Sequence, residues 1–385
     1  MLVLKLFMLI VLVWLLLMAF LSYRGLAYFM EERRRRYVGK GFLLANALEG
    51  VFLLGGWFLF HEFSWLGYLM HVVVFLLAGQ MLFVGIVYAA VLFRWIWRQF
   101  AVSSAPFDMS RRKFLKCAAA YPIAAVGAAG YGSFYEKDET VEREFQIPVK
   151  NLPAGLKGFR VAQLSDIHLG MFFSVEKLGN LLKKTAAGKP DMLVITGDLF
   201  DDVLMNQEAA MLLDSFVGSF PHGIWYCYGN HEHMRGIEKI RAMLKETRIH
   251  VLANEAAVAV EGKCPLVILG ADYPMRRDRF QEDERAFMRE TLRDVPKDSV
   301  KILLAHHPDF IDDAAAAGIN LTLSGHTHGA QFGIFGMPLF PVFKYTRGMV
   351  RIGDSYGYVH SGNGSWFPCR IGCPPEIAYF TLRNG

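Results

Sequence analysis

The sequence predicts an α/β domain preceded by a helical membrane region of about four transmembrane helices, and three observations carry that reading. Nearly all the long apolar runs lie before Tyr135. Beyond Glu136, short apolar runs of strand type alternate with amphipathic stretches of helical period. A chain of 385 residues exceeds one ordinary domain, and its composition changes at this boundary, dividing it into residues 1–135 and 136–385.

Residues 2–21 are apolar apart from Lys5, which suffices for a helix to cross ~30 Å of hydrocarbon. A cleaved signal peptide would have a shorter apolar core and would place its charges first. Residues 42–60 and 66–93 supply second and third spans around the link 61–65, and no Lys or Arg occurs from Gly41 to Phe93. Residues 117–135, rich in Ala and Gly, form a weaker fourth span.

Basic residues gather in two expected loops, 24–40 and 94–116. Such loops stay cytoplasmic, so after an even number of spans Met1 and the second unit both face the extracytoplasmic side. Lys5 and the Ala/Gly content of the fourth run oppose this orientation. The string Ser110-Arg111-Arg112-Lys113-Phe114-Leu115-Lys116 resembles a twin-arginine export signal; a plain basic flank is the other reading, and both give the same orientation. The net charge of +5 thus reports membrane topology, and no nucleic-acid partner is expected. Glu49 and His71 fall inside spans, where an ionisable group marks a functional site, a hydrogen bond between helices or an interfacial position near the membrane surface.

The five cysteines, Cys117, Cys227, Cys264, Cys369 and Cys373, include no C-x-x-C pair, so neither a disulfide framework nor a zinc ribbon is indicated. Cys369 and Cys373 are either a small loop-closing disulfide or two buried thiols.

In the second unit, residues 161–164, 192–195, 224–228, 266–269, 302–304 and 321–323 are expected as buried strands. Residues 175–187, 208–217, 237–247 and 281–293 are expected as helices between them, which is a layered α/β pattern. Polar blocks follow the strands: Asp166-Ile167-His168, Gly197-Asp198, Gly229-Asn230-His231-Glu232, His306-His307 and Gly325-His326-Thr327-His328. Oxygen and imidazole donors suit Mn²⁺, Fe²⁺ or Zn²⁺, whereas a soft-metal site would use cysteine. In an extended Asp-x-His or His-x-His segment both side chains point the same way, so each pair is expected to reach one metal centre.

These blocks, in this order, resemble the calcineurin-like metallophosphoesterase family across roughly residues 161–382. The bacterial branch with exported or membrane-linked members is the most similar, on Gly325-His326-Thr327-His328-Gly329 with Gln331, and on Cys373-Pro374-Pro375-Glu376-Ile377. Ala330 stands where that branch usually carries a second Gly, a change the site is expected to tolerate.

The resemblance implies a four-layer α/β/β/α sandwich holding two divalent metal ions. It places Asp166, His168 and His328 on the first metal, Asn230, His306 and His326 on the second, and Asp198 between them. His307 is the alternative to His306. A bridging carboxylate offsets the repulsion between two close cations. His231 is implied to protonate the leaving oxygen during attack by a metal-activated hydroxide, or else to hold a neighbour by a hydrogen bond. Asp201 and Glu232 are expected to orient ligand imidazoles.

The implied function is metal-dependent hydrolysis of a phosphoester or diphosphate bond, with a lipid-linked or cell-envelope substrate expected. One activity of the branch, cleavage of UDP-2,3-diacylglucosamine, is the alternative if the domain is cytoplasmic. The aromatic-rich insert 332–345 either shields acyl chains or packs against the bilayer or the core. A membrane sensor or scaffold with an inactive domain is the reading from another class, and it is disfavoured because no ligand is missing. A transporter is disfavoured because the spans carry few polar groups.

Overall fold

The computed structural model describes residues 2–28, 32–59, 65–100, 111–334, 337–365 and 367–385. They form two compact units, residues 1–135 with 367–369, and residues 136–366 with 370–385. The first unit is helical: α1 (Leu2–Tyr28), α2 (Glu32–Leu59), α3 (Trp65–Phe100) and α4 (Arg111–Phe134). Among the described residues, one stretch, Leu69–Leu92, is long and apolar enough to cross a membrane, and a shorter apolar stretch is Leu12–Ala27.

Much of the sequence expected as basic loops is helical instead. The arginines from Arg33 to Arg36 lie in the first turns of α2, and Arg111 to Lys113 open α4. Arg, Lys and Glu are good helix formers, and charge alone does not break a helix. Residues 61–64 of the short link, and residues 101–110 of the second basic stretch with Ser110 of the export-like string, lie outside the described residues. Glu49, buried in α2, accepts a hydrogen bond from Gln80 of α3 at 2.9 Å, the helix-to-helix option among those expected for it.

The second unit runs β1 (Val141–Val149), β2 (Arg160–Leu164), α5 (Val175–Ala187), β3 (Met192–Thr196), α6 (Asn206–Phe216), β4 (Ile224–Cys227), α7 (Asn230–Lys245), β5 (His250–Val251) and β6 (Glu255–Val260). It continues through β7 (Leu266–Ala271), α8 (Phe280–Thr291), β8 (Val300–Ala305), α9 (Phe310–Ala316), β9 (Leu321–Ser324), β10 (Gly333–Ile334), β11 (Met337–Pro338), β12 (Gly348–Ile352), β13 (Ser355–Val359) and β14 (Glu376–Asn384). Two six-stranded mixed sheets result, in the orders β1-β14-β2-β3-β4-β5 and β12-β13-β9-β8-β7-β6, beside the small β10-β11 pair.

Strand β3 shows why the central strands are apolar on both faces. Leu193 and Ile195 pack with α5, α6 and α7 in one core, while Met192 and Val194 pack in a second core with Ile268, Ile302 and Leu323 of the other sheet. A third core joins Val267, Leu269 and Leu303 to Met288 of α8 and Phe310 of α9. Successive residues point to opposite faces, so a strand between a helix layer and a sheet layer is buried along its whole length. Two sheets face each other with helices outside, which is the four-layer arrangement.

The structure differs from expectation at two places that matter for the site, and of the two options open for Cys369 and Cys373 it takes the buried thiols. Helix α7 begins at Asn230 rather than at residue 237, with Gly236 (φ 109°) as a kink inside it. The Gly229-Asn230-His231-Glu232 block is therefore a helix start, capped by Glu232 reaching back to the Gly229 N–H. Strands β1 and β14, which pair in parallel through nine residues each, were not expected from the sequence; in β1 the adjacent charges Glu142, Arg143 and Glu144 interrupt the apolar pattern. Cys373 is a free thiol, so the Cys369-Cys373 disulfide does not form; Cys373 Sγ is turned to the carbonyl oxygens of His328 and Gly329, 3.5 Å from each.

Candidate metal centre

The polar blocks converge at the C-terminal ends of β2, β3, β4, β8 and β9. Three groups of donor atoms, each within 4.8 Å of one another, could hold metal: Asp166, His168 and His328; His168, Asp198 and His231; and Asp198, His306 and His326. His168 is shared by the first two groups and Asp198 by the last two, so the donors form one continuous cage.

The backbone aims these side chains, and not by strand alternation. Asp166 (φ 50°), His168 (φ 49°), Asp198 (φ 53°), His326 (φ 72°) and His328 (φ 50°) all adopt left-handed backbone just past their strands. The expectation from extended segments therefore fails: Asp-x-His and His-x-His converge because each block turns sharply, not because alternate strand residues share a face. Left-handed backbone is unfavourable for residues with a Cβ, and clusters of it mark functional sites. Ala330 (φ 62°) stands in the same region, so its Cβ adds strain that a glycine would not.

Hydrogen bonds brace the turns. Asp166 accepts from the His326 N–H at 2.9 Å, and its own carbonyl accepts from the Gly364 N–H at 2.8 Å. Asn363 Oδ1 accepts from the Ser165 N–H at 3.0 Å. Asp198 Oδ1 accepts from the His231 N–H at 2.9 Å. Glu232, fully buried, takes the backbone N–H groups of Asp198, Leu199, Phe200 and Gly229 and the Tyr226 hydroxyl, at 2.7–3.0 Å. Glu232 thus ties the two loops together rather than orienting an imidazole, because its position in the first turn of α7 turns it back toward those amides.

Asp201 does contact imidazoles: Oδ2 lies 3.3 Å from His168 Nδ1 and Oδ1 lies 3.0 Å from His231 Nδ1. A carboxylate only accepts, so both rings carry their proton on Nδ1 and turn Nε2 toward the cage. Burial would raise the Asp201 pKa, but the two imidazoles hold it far below the usual carboxylate range. Arg235, one helical turn after His231 on α7, donates from Nε to Asp201 Oδ1 at 2.5 Å. This contact was not foreseen, although the i, i+4 spacing offered a signal.

His306 Nδ1 donates to the Thr196 carbonyl at 2.7 Å, which leaves Nε2 facing Asp198 Oδ2 at 3.1 Å and His326 Nδ1 at 3.2 Å. Asn230 Oδ1 lies 3.0 Å from the same His326 nitrogen. His168 Nε2 and His328 Nε2 face each other at 3.0 Å. With the Nδ1 groups of His168 and His306 turned to Asp201 and to the Thr196 carbonyl, their Nε2 atoms face the cage, where they would serve as donors to a cation. The donors are all oxygen and imidazole nitrogen, so the set fits borderline divalent ions such as Mn²⁺, Fe²⁺ or Zn²⁺.

Electrostatics follow the same geometry. Burial opposes charge on His306, but Asp198 raises its pKa to about 10. Burial and the neighbouring His306 and His307 lower His326 to about 2. His307, lowered to about 3 by burial and His306, lies outside the donor groups among the described residues. It packs against Phe280 and Phe343 at ring distances of 4.6 and 5.5 Å. Tyr273 and Phe343 flank His326 at 5.5 and 5.3 Å. This aromatic wall beside one half of the cage was not expected, since Tyr273 and Phe280 lie far from the polar blocks in sequence.

A family model described as calcineurin-like phosphoesterase matches residues 159–330. The chain is 31% identical over 297 residues to an uncharacterized metallophosphoesterase of Bacillus subtilis, YkuE, covering 72% of this chain and 98% of that protein. It is 27% identical over 285 residues to the phosphodiesterase YaeI of Escherichia coli, covering 71% of this chain and 99% of that one. A transmembrane protein with a metallophosphoesterase domain from Danio rerio is 28% identical over 250 residues, 63% of this chain and 57% of its own length.

Proposed function

The chain belongs to the calcineurin-like phosphoesterase family of metal-dependent phosphoric ester hydrolases, and on that footing we propose that it is a membrane-anchored phosphodiesterase acting with two divalent metal ions on a lipid-linked or cell-envelope substrate. The observation that carries this reading is the continuous cage in which Asp198 and His168 are each shared between donor groups. Asp166, His168 and His328 would hold one ion, Asn230, His306 and His326 the other, and Asp198 both. When bound, the ions lower the pKa of water and stabilise charge on the phosphoryl oxygens.

The remaining work falls to side chains. Asp201 keeps the His231 proton on Nδ1, so Nε2, 3.9 Å from Asp198 Oδ2, is the nitrogen facing the cage. A proton on that nitrogen is delivered to the leaving oxygen. Tyr273 and Phe343 limit water on the His326 side and present an apolar surface to the part of the substrate beyond its phosphate. The helical unit anchors the chain, α1 to α4 serving as spans, with the hydrolase unit on the extracytoplasmic side; the candidate span Leu69–Leu92 supports the anchoring.

The test is hydrolysis by the purified full chain, stripped of metal and reloaded with Mn²⁺, on bis(p-nitrophenyl) phosphate, phospholipids and nucleotide-diphospho lipids. Activity should return with metal, and Asp198→Asn should abolish it while lowering metal content. A chain that binds two ions yet hydrolyses nothing in the panel points to the scaffold reading. Full occupancy with retained activity in Asp198→Asn sinks the bridging role.

A further inference from the structure

We propose that the β10-β11 pair and the segment after it, through an apolar tip of Ile334, Met337, Leu339, Phe340 and Val342, form a docking element that seats the hydrolase unit on a lipid bilayer, the surface entered by the chain's own helices; this rests on the membrane anchoring proposed above. Five large apolar side chains stand out to solvent here: Ile334 (52% exposed), Met337 (68%), Leu339 (48%), Phe340 (64%) and Val342 (83%). From Phe332 to Phe343 the sequence contains no charged residue, so nothing ionised has to be dehydrated on entering an apolar phase. A contiguous exposed apolar patch of this kind marks an interaction surface.

The root of the hairpin identifies the occupant. The Gly333 N–H donates to the Ile371 carbonyl at 2.7 Å, and Arg347 Nη1 donates to the Gly372 carbonyl at 2.9 Å. The same short segment is held from its other side by Glu136, a buried carboxylate accepting from the N–H groups of Gly372 at 3.0 Å and Cys373 at 2.8 Å. Glu136 opens the hydrolase unit, and α4 ends only two residues earlier at Phe134. The apolar tip and the point where the chain leaves its last helix therefore share one backbone segment as their support. The anchoring proposed above puts the end of α4 at a membrane surface, and a link of two residues is too short for Glu136 to lie far from it. Phe343 then links the docked tip to the cage through its ring contacts with His326 and His307.

The far end of β1 supplies an internal control. Lys150 follows a nine-residue strand that starts near Glu136, about 30 Å away along the chain, and its side chain is exposed.

The experiment uses the full chain in nanodiscs of phosphatidylethanolamine and phosphatidylglycerol, with Cys117→Ser and Cys264→Ser and an environment-sensitive fluorophore on Val342→Cys or Lys150→Cys. Doxyl-labelled lipid should quench the label at position 342 several-fold more than the label at position 150. The double substitution Met337→Asp with Phe340→Asp should abolish that difference while leaving hydrolysis of bis(p-nitrophenyl) phosphate and co-flotation with vesicles unchanged. Equal quenching at both positions, in a chain that co-floats, overturns docking and leaves anchoring intact. Shielding at position 342 from aqueous iodide but not by proximity to lipid, dependent on protein concentration, assigns the patch to a second copy and also overturns docking. Failure to co-float removes the anchoring and the docking together, while the soluble-substrate assay still reports on the hydrolase.

Discussion

Replacing Asp201 by Asn keeps the outline of the side chain and changes its capacity to accept hydrogen bonds. Both wild-type oxygens are used, Oδ2 by His168 and Oδ1 by His231 and Arg235. An amide offers one oxygen and one NH2 group. Whichever way it is placed, one imidazole Nδ1–H meets a donor, and that ring must change tautomer or rotate away. The loss is one hydrogen bond to a charged group, about 1.5–3 kcal/mol. That corresponds to roughly ten- to hundredfold in metal affinity or turnover, the usual effect of removing a group that orients metal-binding histidines.

Which quantity moves tells which ring was lost. Displacement of His168 weakens metal binding, whereas displacement of His231 lowers kcat with metal affinity retained. Calorimetric Mn²⁺ titration and kcat/KM on bis(p-nitrophenyl) phosphate separate the two, and Arg235→Gln, which leaves the carboxylate in place, should change both far less. An Asp201→Asn chain with wild-type metal affinity and wild-type turnover would refute the assignment.

Three further outcomes are expected. His231→Ala should keep metal content near wild type while turnover falls about 10²–10⁴-fold, less for a leaving group such as p-nitrophenolate that needs no proton; loss of metal instead would make His231 a ligand. Gly229→Ala should abolish activity in a chain of wild-type secondary structure by circular dichroism, because a Cβ there would lie 2.1 Å from Asp198 Oδ1 and displace it; normal activity would mean that Asp198 has room the structure denies it. Glu284 is raised to about 7 by burial and by the charges of Asp313 and Asp309. Its folded pKa exceeds its unfolded one, so it weakens the fold as pH rises through that interval and not below it. Glu284→Gln should therefore raise Tm relative to wild type at pH 8 and leave it unchanged near pH 4; an equal gain at both pH values would remove ionisation as the cause.

Much of the fold was legible because burial on both faces makes a strand apolar throughout. The β3, β7, β8 and β9 runs stand out for that reason, and α5 was located residue for residue by its amphipathic period. β1 was missed because Glu142, Arg143 and Glu144, all exposed on an edge strand, interrupt the apolar pattern. The start of α7 was missed because its first turn carries the polar residues of the site, where chemistry overrides the apolar period. The site residues were legible as types and spacings, while their aim was not, since left-handed backbone at Asp166 or His328 leaves no mark in the sequence. Nor did the sequence separate two carboxylates that were both expected to orient imidazoles: Asp201 contacts them, whereas Glu232, from its helix start, serves backbone amides.

That division between residue type and aim explains why this chemistry sits on so large a scaffold. Five cage residues hold left-handed backbone, each unfavourable by about 1–2 kcal/mol, and none of them gains that energy back locally. The stabilisation has to come from the sheets, whose buried strands fix the positions from which the turns depart, and from polar braces that hold the turns once made. Glu232 alone satisfies four backbone N–H groups on two loops, and Asn363 with Gly364 pins the Asp166 turn from the last third of the chain. The braces and the ligands come from segments distant in sequence, so the cage exists only when both sheets are complete. Metal binding and folding of this unit are therefore coupled through the backbone as well as through the donors, and a substitution at a brace that touches no metal, such as one at Glu232, acts on the cage through the strain it was holding.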